Sequence, residues 1–151
     1  MPYFSVAFAR NRDAGWIGTE TDLVEVVGVD DITDIMRETA VETASDTVVL
    51  LIEQEDEWFA VVRLDDGDDP RVFLSDPRAT QTSDLAHMLH EQIGEIAEVP
   101  TDDPVGDPGL LADLGIEAAR LTRLGERTLP GDALSVIAER AGFAEDYDRL
   151  R

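Results

Sequence analysis

Five consecutive apolar residues, Val48-Val49-Leu50-Leu51-Ile52, constrain this chain more than any other feature. Three of the five are β-branched, and no polar residue alternates with them. A strand with one wet face alternates apolar and polar residues, so an unbroken run predicts a central strand covered on both sides. The neighbouring segments then read as its partners. Trp58-Phe59-Ala60-Val61-Val62-Arg63-Leu64 follows the polar turn Gln54-Glu55-Asp56-Glu57, and Arg71-Val72-Phe73-Leu74 follows the acidic turn Asp65 to Asp69. Runs this short, joined by turn-forming residues, predict an antiparallel meander.

Upstream, Phe4, Val6 and Phe8 alternate within Tyr3–Arg10, the period of a half-buried strand. Asn11 to Gly15 supply turn chemistry, and Trp16 to Thr21 return as a second strand. Between this hairpin and the central run, Ile32, Ile35, Met36 and Ala40 fall at helical spacing, and Asp30 or Asp31 is placed to cap that helix. Asp76-Pro77 has the chemistry of a second helix start, with Leu85, Met88, Leu89, Ile93 and Ile96 as its stripe. The expected fold class is therefore α+β: a mostly antiparallel sheet of about five strands with helices packed on one face. The core domain covers residues 1–97.

The stretch EVPTDDPVGD is rich in proline and acid, and residues 98–107 are expected to form an acidic linker. Residues 108–151 then read as a small helical C-terminal subdomain. Its helices start near Asp107-Pro108, Glu117 and Pro130, with stops at Gly115 and Gly142 and a terminal patch of Phe143, Tyr147 and Leu150. Helices this short need one another or the sheet, so they are expected to pack and not to trail as a tail.

Charge bounds the function. The 151 residues contain 34 Asp and Glu against 12 basic residues, all of them Arg, for a formal net charge of -22. A polyanion repels phosphate backbones, which disfavours direct binding to nucleic acid and favours a basic partner. The absence of Cys excludes disulfides, thiolate nucleophiles and the usual structural zinc sites. The opening MPYFSVAFARNRD is too short and interrupted for a secretory signal, and no apolar run approaches a membrane span, so a cytoplasmic location is expected.

Catalytic motifs are missing. No serine stands in a nucleophile elbow, and no glycine pattern cradles a phosphate, so neither an enzyme nor a bound cofactor is expected. Asp84, His87, His90 and Glu91 share helical spacing but lack the signature of a zinc helix, and no metal is expected there. The clusters Asp65, Asp66, Asp68, Asp69 and Asp102, Asp103 do not fit a twelve-residue calcium loop and read as polar turns. As a candidate interface we single out Trp58, Phe59, Arg63, Arg71 and Phe73 with Asp65, Asp66, Asp68 and Asp69. Trp58 and Phe59 are adjacent, so in a strand they point to opposite faces, and an exposed ring beside Arg63 or Arg71 would anchor a partner. The alternative is that both rings are core; Arg63 and Arg71 are expected to pair with the chain's own carboxylates.

The blocks MPYFSVAFAR, EDEWFAVVR, DPRVFLSD, GLLADLGI and LPGDALSVIAERAGF resemble the bacterial tRNA adenosine deaminase-associated protein family. The likeness covers Met1 to Arg10, Val48 to Asp76 and Asp107 to Phe143. It implies association with the deaminase that converts adenosine to inosine in a tRNA anticodon, and it brings no catalytic residues with it. Zinc-dependent deaminases need H-x-E and P-C-x-x-C motifs; this chain has neither. The resemblance therefore implies a non-catalytic accessory or regulatory protein that works by protein-protein binding. The alternative is a self-associating scaffold, a homodimer formed through the sheet and Trp58/Phe59.

Overall fold

The structure is a computed structural model, and it describes residues 4–11, 13, 15–23, 25–54, 57–93 and 103–150. The apolar run becomes strand β3 (Ser45–Gln54). It lies between β1 (Phe4–Asn11) and β4 (Trp58–Asp65), with Leu50 opposite Ala7 on one side and Val62 on the other. With β2 (Gly15–Glu20), β5 (Arg71–Leu74) and the short β6 (Val105–Gly106), the strands form one antiparallel sheet in the order β2-β1-β3-β4-β5-β6.

Among the described residues the sheet has six strands where about five were expected. The extra one is the two-residue β6, too short for any periodicity, lying within the stretch expected as a linker. It pairs Val105 with Leu74 and Gly106 with Phe73, and Asp107 N–H then donates to Val72 O at 2.9 Å. Only glycine fits here: Gly106 has φ of 105°, and a Cβ on it would stand 2.1 Å from Val72 O.

Alternate residues of β3 feed two cores. Val48, Leu50 and Ile52 join Ala7, Ala9, Trp58, Ala60 and Val62 under helices α1 (Val29–Glu42) and α2 (Asp84–Ile93), which contribute Ile32, Met36, Leu85 and Leu89. Val49 and Leu51 join Val6, Phe8, Phe59, Val61 and Phe73 under α3 (Ala118–Arg127), α4 (Pro130–Ala141) and α5 (Ala144–Leu150), through Leu121, Leu124, Leu134, Ile137 and Tyr147. Helices thus cover both faces, where packing on one was expected, and this is why β3 carries no polar alternation.

The helix starts differ from expectation in an instructive way. α1 begins after Gly28 without a side-chain cap; Asp30 and Asp31 lie in its first turn, and Asp31 Oδ2 reaches back to accept from Val27 N–H at 3.0 Å. Asp76 does accept from Arg78 N–H at 3.0 Å, but it opens a 3-10 helix over Pro77–Gln81. α2 starts later, where Ser83 Oγ accepts from Ala86 N–H at 3.2 Å. Among the described residues no helix is long and apolar enough to cross a membrane.

Candidate interaction surface

Asp65 closes β4 and opens the acidic turn. Its Oδ1 accepts from Thr47 Oγ1 at 2.9 Å and from Arg63 Nε at 3.2 Å, and its Oδ2 accepts from an Arg71 guanidinium nitrogen at 3.1 Å. Arg63 points inward and is 4% exposed. Its guanidinium donates to Leu110 O at 2.8 Å and forks onto both oxygens of Asp113, the second at 2.8 Å. Arg71 also stands 3.6 Å from Asp107. Both arginines are therefore ion-paired within the chain. The pairs tie β4 and β5 to the segment that leads into the C-terminal helices.

Bidentate pairing is the strong form of a charge-assisted hydrogen bond. The hydrogen bond with Asp113 holds the Arg63 guanidinium above its ordinary pKa, against the opposing effect of burial. In return, the hydrogen bond from Arg63 holds the Asp113 carboxyl below its ordinary value. A buried arginine needs such partners, because an uncompensated charge in the core is strongly destabilising.

The aromatic members of the candidate interface are not on the surface. Trp58 and Phe59 do point to opposite faces, but both faces are covered and each ring is 1% exposed. Trp58 lies under α1 and α2 with Nε1 donating to Gln54 Oε1 at 3.0 Å; Phe59 lies on the other side with Phe73, ring centroids 6.0 Å apart. Phe73 is equally buried, so these three rings and Arg63 are core residues and not interface anchors. Arg71 is half-exposed, and Asp66, Asp68 and Asp69 are exposed.

On α2, His87 pairs with Glu91 at 3.1 Å, both in solvent, whereas His90 is buried on another side of the helix. Asp84 is exposed, and among the described residues no three His, Cys, Asp or Glu side chains converge as metal ligands. Asp103 is exposed; Asp102 lies outside the described residues.

A groove of about 330 Å³ that no sequence motif marks lies beside the acidic turn, lined by residues of α1, β3 and β4. Arg37, Ala40 and Val41 come from α1, Ser45 and Asp46 from β3, and Leu64 to Gly67 from β4 and its turn. Asn11 positions this corner: its Nδ2 donates to Thr43 O at 2.6 Å, holding the tight link in which Ala44 takes a left-handed φ of 52°. Asp66 N–H donates to Asp46 O at 2.9 Å, bringing the acidic turn alongside. One signal was legible: Val41 is an apolar residue outside the buried stripe of α1, and it is 81% exposed.

A family model described as Rv3753c-like tRNA adenosine deaminase-associated protein matches residues 3–144. No curated protein and no solved structure is significantly similar to the chain.

Proposed function

The chain belongs to the Rv3753c-like tRNA adenosine deaminase-associated protein family, and on that footing we propose that it is a non-catalytic accessory of the deaminase, binding it by protein-protein contact through an acidic surface. The observation that carries this reading is the combination of family membership with a formal net charge of -22. An enzyme that handles tRNA needs a basic surface for the phosphate backbone, and an acidic protein is complementary to that surface. Docking there would place this chain in competition with tRNA, and so in control of the enzyme's access to its substrate.

One feature supports a binding role: the carboxylates of Asp66, Asp68 and Asp69 are exposed together in the turn between β4 and β5. The experiment is a deaminase assay with this protein added at rising salt. A change in deamination that fades as salt screens the contact is the expected result. A change indifferent to salt would overturn the electrostatic form of the proposal.

A further inference from the structure

The carboxyl end of α1 presents three properties in one place. The helix has no basic residue in its last turn, so the negative end of its dipole is uncompensated from within. The groove beside it offers aliphatic surface: exposed Val41, partly buried Ala40 and buried Leu64. Among the described residues its lining carries Asp46, Asp65 and Asp66 against one cation, Arg37. Asp65 is already held by Arg63 and Arg71, while Asp66, Asp68 and Asp69 are exposed in the same turn and Glu38 and Glu42 are exposed on α1.

We propose that this groove receives a basic segment of a protein partner, with one arginine or lysine laying its aliphatic stem along Ala40, Val41 and Leu64 and turning its charged head toward Asp66 and the carbonyl end of α1. Long cationic side chains combine an apolar stem with a charged tip, which matches an apolar wall under an acidic rim. A nucleic acid brings phosphates and is repelled by the same rim. A second copy of this chain brings another net charge of -22 and meets the same repulsion. The inference rests on the accessory reading above and adds to it the place and chemistry of contact.

The test uses the isotope-labelled full chain and, as probe, a blocked hexapeptide alternating arginine and leucine. Amide shifts are expected to concentrate in residues 37–46 and 64–67. Affinity should fall about tenfold in the double variant Val41→Ser/Asp66→Asn, since the two changes remove an apolar contact and a rim charge. Glu139→Gln, on the exposed side of α4, removes the same charge elsewhere and should leave binding within about twofold, as a distant surface charge does. Shifts spread over all acidic segments, centred elsewhere, or unaltered by the double variant would overturn the proposal. Titrating the same proteins with the purified deaminase separates the two claims. If wild type and double variant bind the enzyme equally, the groove falls and the accessory reading stands. If wild type ignores the enzyme while the peptide still maps to residues 37–46 and 64–67, the accessory reading falls and the groove stands.

Discussion

The two faces of the sheet are closed by different means. Over the C-terminal face, aromatic rings interlock: Phe8 stacks on Phe143 with centroids 3.9 Å apart, Trp16 meets Phe143 edge-on at 5.1 Å, and Phe4 meets Tyr147 at 5.8 Å. Directed bonds reinforce them, since Trp16 Nε1 donates to Ala141 O at 3.0 Å and Arg63 reaches Asp113. The opposite face is mainly aliphatic, with Ala7, Ala9 and Ala60 admitting α1 and α2. It ends in an open corner at Val41. One face is locked by contacts between residues far apart in sequence; the other leaves a helix end available to something else.

The largest expected effect breaks the locked face. Phe143→Ala removes the ring on which Phe8 and Trp16 converge and should cost about 3–5 kcal/mol in denaturant unfolding, the usual range for a buried phenylalanine. Next is the ion pair. Asp113→Asn leaves Arg63 buried with Asp65 as its remaining carboxylate partner and should cost about 1–3 kcal/mol, less than a fully buried pair because Asp113 is itself half in solvent.

The same pair gives a pH signature with a definite sign. Because Asp113 titrates below its unfolded value, its stabilisation is complete above the ordinary carboxylate range. It is lost as pH falls through the lower folded value. The stability difference between wild type and Asp113→Asn should therefore be constant near neutrality and shrink in acid, which unfolding curves at a series of pH values will register. A difference that grows in acid contradicts the assignment.

Gly125→Ala probes how tightly the locked side is packed. Its Cβ would lie 2.7 Å from Pro104 Cγ and 3.1 Å from Phe73 Cζ, so α3 must shift; we expect a loss of about 1–3 kcal/mol, the usual cost of overpacking. Val41→Ser, at the open corner, should change stability by less than about 0.5 kcal/mol, as exposed positions do. A large loss there would mean that Val41 packs within the chain and is not reserved for a partner.

The parts legible from sequence were those with strong local pattern. β3, β4 and β5 follow from their apolar runs and the turns between them, and β5 spans the expected Arg71–Leu74. Gly142 ends α4 in a left-handed conformation, as a glycine stop predicts. What escaped depends on tertiary context. β6 exists because the open edge of β5 accepts two residues of a segment that reads as linker. The burial of Trp58 and Phe59 turns on what covers the second face, and that is decided by residues after position 109, beyond any local window. Arg63 reads as a surface anchor until Leu110 and Asp113 are brought beside it. The groove joins α1 to the β4–β5 turn, and only the misplaced Val41 hinted at it.

The proposed association with the deaminase through acidic surface is open to calorimetric titration of this protein into the purified enzyme of the same cell, at low and at moderate salt. Micromolar or tighter binding that weakens as salt rises is expected. No heat and no complex under either condition would contradict it.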